Sequence, residues 1–229
     1  MKDADPPAPV SRHALPEPSA GLHAVALPIH DIASQDWGFH QCFRADRGPL
    51  YLGYSDRGRF NAPSREFGVT YVSEIVEDAF VETFLHNSPT DPLVIRVITR
   101  EHLARRQLCR IVANPRHPAL RPLRLVDLTG NGAVLIGATG ELATATHIEQ
   151  QPSVRRWALA LHRHPAQPDG IVYPARHDLS QRSLALFDRP TPMLAAEPGN
   201  RLDDEAVLAA LFGRYRVAFV DGQALPPAR

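Results

Sequence analysis

The stretch Gly58–Phe84, GRFNAPSREFGVTYVSEIVEDAFVETF, contains the pattern that decides the fold. Glycine and asparagine on the two sides of Arg59 are typical of an irregular loop. The next residues, FGVTYVS (67–73), are rich in aromatic and β-branched side chains, which predicts a strand. The run SEIVEDAFVETFLHN (73–87) then predicts a helix with Ser73 as its N-cap and acidic residues near its first turn. A loop, a strand and a helix therefore follow one another directly.

Strands and helices continue outward from this segment without a regular alternation. Strands are predicted in WGFHQCFRAD (37–46), LVIRVIT (93–99), LRLVDLT (123–129), GIVY (170–173), SLALFDR (183–189) and RVAFV (216–220), and helices in EHLARRQLCRIVA (101–113), SVRRWALALHRH (153–164) and DDEAVLAALFGRY (203–215). This mixture favours an α+β fold over a doubly wound parallel sheet.

Composition sets the first residues apart from the rest of the chain. Five of the 22 prolines lie within residues 1–20, where large apolar side chains are few. We therefore expect a proline-rich arm over 1–36 with freedom to move, followed by one body over 37–229. The run LHAVALPIH (22–30) fits either a short strand or a segment packed on that body.

Charge and apolar content exclude several classes of protein. The 229 residues carry 25 basic and 25 acidic side chains, so the basic excess that direct nucleic-acid binding requires is absent. No apolar run approaches ~18 residues, and the start of the chain does not resemble a signal peptide. Two cysteines cannot build a disulfide framework. We expect a cytoplasmic protein that does not contact membranes.

Common cofactor and metal motifs are also missing. The segment DLTGNGAVLIGATG (127–140) follows a strand, but it lacks the third glycine and the βαβ context of a dinucleotide fingerprint. The pairs His40-x-Cys42 and His162-x-His164 do not have zinc-ligand spacing, and residues i and i+2 of a helix point to different sides. Solvated or capping histidines are expected, and no metal.

Three polar side chains in the opening segment are candidates for a site. Glu82 follows Tyr71 by eleven positions, and on a helical wheel it lies near Ile75 and Ala79, at the margin of the apolar arc. A carboxylate there is partly desolvated and needs a partner. An ordinary ion pair with an arginine explains Glu82 equally well, and Arg59 fits an ordinary solvated turn.

Four blocks in this order resemble the RES domain: CFRADRGPLY, the opening segment, LRLVDLTG and SVRRWALALHRHPAQPDGIVYPARHDLSQRSLALFDR. The similarity spans Trp37 to Val220. That family supplies toxins of Xre/RES toxin–antitoxin pairs. The resemblance implies an α+β fold like that of ADP-ribosyltransferase toxins, with a mixed or antiparallel sheet and flanking helices. It implies NAD+ as substrate, cleavage of the nicotinamide–ribose bond, and an Xre-like antitoxin that covers the active site.

The same resemblance implies roles for individual residues. It places the family's arginine and glutamate on Arg59 and Glu82, an active-site tyrosine on Tyr71 and an earlier arginine on Arg44. Cleavage of NAD+ leaves an oxocarbenium-like ribose, so Glu82 is expected to stabilise positive charge. Tyr71 would face the nicotinamide ring, and the two arginines would bind the diphosphate.

The chain departs from the family at one position. The family's serine falls on Ala175 of the NAD+ pocket, which has no side-chain hydroxyl. Ser180 or Ser183 could substitute, the hydroxyl could be dispensable, or the activity could differ. We expect ADP-ribose transfer to a host protein, such as an enzyme of nucleotide synthesis, with inorganic phosphate as the alternative acceptor (an NAD+ phosphorylase). A RES-like binding module without turnover, acting through its antitoxin, is the alternative of another class.

Overall fold

The structure is a computed structural model that describes residues 15–56, 58–85, 95–144, 150–175, 178–202, 208–209, 215 and 217–220. Its strands are β1 (Ile29–Ile32), β2 (Phe39–Arg44), β3 (Val69–Ser73), β4 (Arg96–Thr99), β5 (Arg106–Ala113), β6 (Leu123–Asp127), β7 (Gly170–Pro174), β8 (Arg182–Phe187), β9 (Leu194–Ala196), β10 (Asn200–Arg201) and β11 (Val217–Val220). Its helices are α1 (Val76–Phe84), α2 (Arg100–Ala104), α3 (Gly132–Leu135), α4 (Glu141–Thr144) and α5 (Gln151–His162).

Nine strands form one mixed sheet in the order β1-β6-β7-β8-β3-β2-β5-β10, with β9 also pairing with β5. The β6–β7 pair is parallel and the other pairs of this sheet are antiparallel. A separate two-stranded parallel sheet joins β4 and β11. This mixed sheet with few helices confirms the α+β prediction, and it is consistent with the ADP-ribosyltransferase-like fold that the resemblance implies.

The two faces of the large sheet bury different apolar clusters because side chains alternate along a strand. One face packs Val69, Ile171 and Phe187 against Trp157 and Leu161 of α5. The opposite face buries a second cluster drawn from β2, β3, β5, β6, β7 and β8. A third cluster gathers Phe80 and Val81 of α1 with residues from β4, α2 and β5. Helix α1 thereby lies over β2 and β3.

Part of the predicted N-terminal arm packs on the body. Leu15 and Leu22 are 6% and 3% exposed, and the Trp157 indole donates to the backbone oxygen of Pro16 at 2.6 Å. Glu17 forms an ion pair with Arg156 of α5. Strand β1 pairs with β6 in the main sheet. The described part of 1–36 is therefore continuous with the core, and residues 1–14 lie outside the described part of the chain.

Two local predictions are wrong. The predicted helix 101–113 is a short helix, α2, followed by the eight-residue strand β5, because β5 gains a backbone ladder with β2 on one side and β9 and β10 on the other. Ser73 is not an N-cap, since it ends β3 and α1 begins at Val76. Most of the predicted helix 203–215 lies outside the described residues.

Candidate active site

Asn61 anchors the loop that carries Arg59. Its side chain is 3% exposed, and its amide nitrogen donates to the backbone oxygens of Gly53 and Ser55 at 3.0 and 2.9 Å. Gly53 is itself bridged to Val69 of β3. Buried polar side chains rarely make so many bonds unless they fix a backbone path. The loop is therefore tied to the sheet on both sides of Arg59.

Tyr71 of β3 completes this anchor through its hydroxyl. The hydroxyl accepts from the Phe60 backbone N–H at 2.9 Å and donates to the side-chain amide oxygen (Oδ1) of Asn61 at 2.8 Å. Burial raises the pKa of Tyr71 well above its usual value, so the group stays a neutral donor and acceptor. Gly58 is required beside it, because a Cβ there would lie 2.6 Å from the hydroxyl oxygen. Arg155 of α5 also donates to the Gly58 oxygen at 3.2 Å.

The guanidinium of Arg59 rests on aromatic rings. Its Cζ lies 4.3 Å from the ring centroid of Tyr173 and 4.8 Å from that of Phe60, and the two rings are 4.9 Å apart. The charge of Arg59 and its contact with the Tyr173 hydroxyl both lower the pKa of that tyrosine, against the larger effect of burial. Among the described residues, no carboxylate forms an ion pair with Arg59. The cation is thus held in place by rings, which do not neutralise its charge.

Glu82 lies in the second half of α1 with a half-buried side chain. Burial raises the pKa of Tyr173 to about 12; the charge of Arg59 opposes the rise and that of Glu82 adds to it. The carboxylate and the guanidinium therefore both act on one tyrosine hydroxyl. We call Arg59, Tyr173, Tyr71 and Glu82 the Arg59 site; the structure brings three of the five predicted residues together here.

The other two predicted residues lie differently. Arg44 ends β2, and its guanidinium forms two bonds with Asp46, at 2.9 and 2.5 Å. This pair raises the pKa of Arg44 and lowers that of Asp46. No contact joins Arg44 to the Arg59 site within the described part of the chain. Ala175 is 1% exposed just beyond β7, and its backbone N–H donates to the Gln181 oxygen at 2.9 Å.

A row of hydroxyl groups borders the Arg59 site. Tyr173, Ser183 and Ser73 are Cα partners across β7, β8 and β3, so they share one face of the sheet. Ser183 lies directly across from Tyr173, and the Ser183 and Ser73 hydroxyl oxygens are 3.3 Å apart. Tyr173 is not among the site residues predicted from the sequence. The spacing of GIVY and SLALFDR could have indicated it, because those two strands form an antiparallel pair around a short connection.

A separate cleft of about 440 Å³ lies at the same end of the sheet, and none of the five predicted residues lines it. Its lining includes Glu74 and Arg182, which neighbour Ser73 and Ser183 in sequence and so point to the opposite face. Arg182 donates to both Glu74 carboxylate oxygens, at 2.9 and 2.7 Å, and contacts the His30 ring nitrogen at 3.2 Å. We call this the Glu74–Arg182 cleft.

Cysteine and histidine side chains serve the core. Burial raises the pKa of Cys42 to about 12 and that of Cys109 to about 11, so both thiols stay protonated at neutral pH.

His162 stacks on Phe67 at 4.1 Å, and His164, 6% exposed, contacts the Leu22 and Val25 carbonyl oxygens. The sequence predicts solvated or capping histidines, and the solvated alternative is wrong for His164, which is buried, and for His162, which is half-buried. Within the described ranges, no cluster of His, Cys, Asp or Glu could hold a metal ion, and each helix is too short or too polar to cross a bilayer.

Comparison with known proteins supplies the family. One curated relative, named probable toxin y4kH, from Sinorhizobium fredii (strain NBRC 101917 / NGR234), is 33% identical over 84 residues. The match covers 37% of this chain and 63% of the relative, which is less than two thirds of its length. No solved structure matches the chain. The RES domain matches residues 28–207, which include the whole Arg59 site and the Glu74–Arg182 cleft. The chain belongs to the RES-domain family.

Proposed function

We propose that the chain is the toxin of a toxin–antitoxin pair, and that it cleaves NAD+ at the nicotinamide–ribose bond and transfers the ADP-ribose to an acceptor. Membership of the RES-domain family and the name of the relative from Sinorhizobium fredii support the toxin role. One observation carries the chemistry: the Arg59 guanidinium is held on the Tyr173 ring with its charge not neutralised by a described carboxylate.

Arg59 would bind the diphosphate of NAD+. When the flat face of a guanidinium stacks on an aromatic ring, the N–H groups along the edge of the guanidinium stay available. Two of these N–H groups can donate to two oxygens of one phosphate. Arg44 is the second candidate, but it would have to release Asp46 to bind a phosphate. The first contact of the diphosphate is therefore assigned to Arg59.

Glu82 would stabilise the reacting ribose. When the nicotinamide–ribose C–N bond breaks, the electron pair leaves with the nicotinamide nitrogen and the ribose carbon becomes an oxocarbenium-like cation. A carboxylate beside that ring attracts positive charge as it develops, so it lowers the barrier more than it strengthens substrate binding. An acceptor atom then bonds to the ribose carbon and releases its proton to solvent. Tyr71, whose hydroxyl is fixed in the Arg59 loop, would present its ring to the nicotinamide.

A protein is the proposed acceptor. Ala175 cannot hydrogen-bond through its side chain, and Ser183 is 1% exposed and already bonded to Ser73 within the sheet. Ser180, which is exposed, donates to Asp178 at 2.6 Å. None of these groups offers a ready hydroxyl to place a phosphate ion. An enzyme of nucleotide synthesis in the host is the kind of target proposed, and an Xre-like antitoxin would cover the site.

Incubation of the purified protein with NAD+ labelled in the adenylate moiety and a host lysate tests the proposal. We expect label on a protein band, and none with Glu82→Gln. Loss of NAD+ that scales with added phosphate, with no labelled protein, would identify phosphate as the acceptor. If cells still stop growing with Glu82→Ala while their NAD+ level stays constant, NAD+ cleavage is rejected. The alternative of a binding module without turnover would then be favoured.

A further inference from the structure

We propose that Tyr173 is a positioning residue that fixes the Arg59 guanidinium for an anionic ligand, and that Ser183 fixes Tyr173 in turn. The inference rests on the proposed function only for the identity of the anion, which would be the diphosphate of NAD+. It assigns a role to a buried row of hydroxyl groups that the proposed mechanism does not use.

The first observation is the packing of Tyr173. Its side chain is 4% exposed and the neighbouring Phe60 is fully buried, so the two rings form a rigid corner against which the guanidinium lies. A solvated arginine loses rotamer entropy when it binds a ligand. A guanidinium already confined by two aromatic rings has lost much of that freedom before binding.

The second observation is the bonding of the Tyr173 hydroxyl. Contacts with Arg59 and with Ser183 both lower its pKa against the larger effect of burial, and the Ser183 and Ser73 hydroxyl oxygens are 3.3 Å apart. All three hydroxyl residues are less than 5% exposed. A buried polar row in an apolar sheet face costs stability unless every member is bonded. Here the row begins at Tyr173, whose ring lies against the cation, and so the row limits the directions in which the guanidinium can point.

A third point is the register of the sheet. Tyr173 and Ser183 are direct partners across β7 and β8, and Ser183 and Ser73 are direct partners across β8 and β3. Side chains on one such row keep fixed spacing because the backbone ladder holds them. The position of Arg59 is thus set by the sheet, although Arg59 itself lies in a loop.

The test compares Tyr173→Phe, which keeps the ring, with Ser183→Ala and the matched control Ser180→Ala on an exposed hydroxyl. We expect the KM for NAD+ to rise about 3- to 10-fold in the first two with kcat nearly unchanged, since the loss of one neutral hydrogen bond is worth a factor of this order. Ser180→Ala should match the wild type. The double variant Tyr173→Phe/Ser183→Ala should be no worse than the worse single variant. A fall in kcat with constant KM, or fully additive losses, would overturn the inference.

A second measurement does not depend on NAD+. The Arg59 Nε–H signal in a ¹H–¹⁵N spectrum, assigned by its loss in Arg59→Lys, should be shifted and protected from exchange in the wild type. It should move toward the position of exposed arginines in Tyr173→Phe and Ser183→Ala, but not in Ser180→Ala. If the signal is the same in all variants, the positioning role is wrong. If it responds while the protein consumes no NAD+, only the proposed function fails.

Discussion

Two polar clusters lie at the same end of the sheet on opposite faces, and they differ in how their arginines are held. In the Glu74–Arg182 cleft, the cation and the carboxylate satisfy each other through two short bonds. In the Arg59 site, the cation rests on Tyr173 and Phe60. The cleft has a volume of about 440 Å³, yet the charges of Glu74 and Arg182 in it are already paired. Under the proposed function, the arginine held by rings keeps its charge for a ligand, and cavity volume alone would not identify the site.

The largest expected effect distinguishes Glu82 of the Arg59 site from Glu74 of the Glu74–Arg182 cleft. Glu82→Gln should lower kcat/KM for NAD+ consumption by ~10²–10³-fold or more, because a preorganised group that acts on developing charge contributes this much. Circular dichroism and the thermal midpoint should stay close to wild type, since Glu82 is only half-buried. Glu74→Gln is the matched control on the opposite face and should keep wild-type turnover. Full activity in Glu82→Gln would remove that residue from the mechanism.

The next largest effect distinguishes Arg59 from Arg182. Arg59→Lys keeps the charge but loses the forked donor edge, so we expect the KM for NAD+ to rise about 10- to 100-fold. Arg182→Lys should leave the KM unchanged, because Arg182 is committed to Glu74. Steady-state kinetics of NAD+ consumption give the KM of both variants and test this prediction. An equal response of the two would mean that the Arg59 site and the cleft do not differ in function.

The opening segment shows what local pattern can predict. Strand β3 and helix α1 follow from aromatic and β-branched residues and from apolar periodicity, and Arg59, Tyr71 and Glu82 are recognisable in that segment through the family resemblance. Their grouping depends on Tyr173, which is about a hundred residues away in the chain. No local pattern contains that contact, because it arises from the pairing of β3 with β8 and of β8 with β7.

The errors have the same origin. Ser73 has the residue type of an N-cap, but its hydroxyl bonds to Ser183 across the sheet and the helix starts three residues later. Residues 106–113 have helical apolar spacing, and ladders on both edges make them a strand. In both cases a tertiary contact overrides a local preference.

Unfolding at alkaline pH is expected to distinguish the two clusters, because the Arg59 site contains tyrosines and the lining of the Glu74–Arg182 cleft does not. Burial raises the pKa of Tyr173 from 10.0 to about 12, so above pH 10 the unfolded chain loses this proton first. The stability is complete below pH 10 and falls as the pH rises toward 12, by at most about 1.4 kcal/mol per pH unit for this group. Urea unfolding between pH 9 and 11.5 should show a shallower decline in Tyr173→Phe. Glu74→Gln should keep the wild-type slope, and an unchanged slope in Tyr173→Phe would mean that this hydroxyl is not protected by folding.

The smallest effect concerns the cleft itself. Glu74 and Arg182 are 26% and 38% exposed, and ion pairs with that much solvent contact contribute about 0–1 kcal/mol. Glu74→Gln should therefore lower the free energy of unfolding in urea at pH 7 by no more than about 1 kcal/mol. A loss of NAD+ turnover in this variant, without a loss of stability, would place the chemistry in the cleft. The Glu74–Arg182 cleft would then mark the site, and the arginine held by rings would be a structural element of the core.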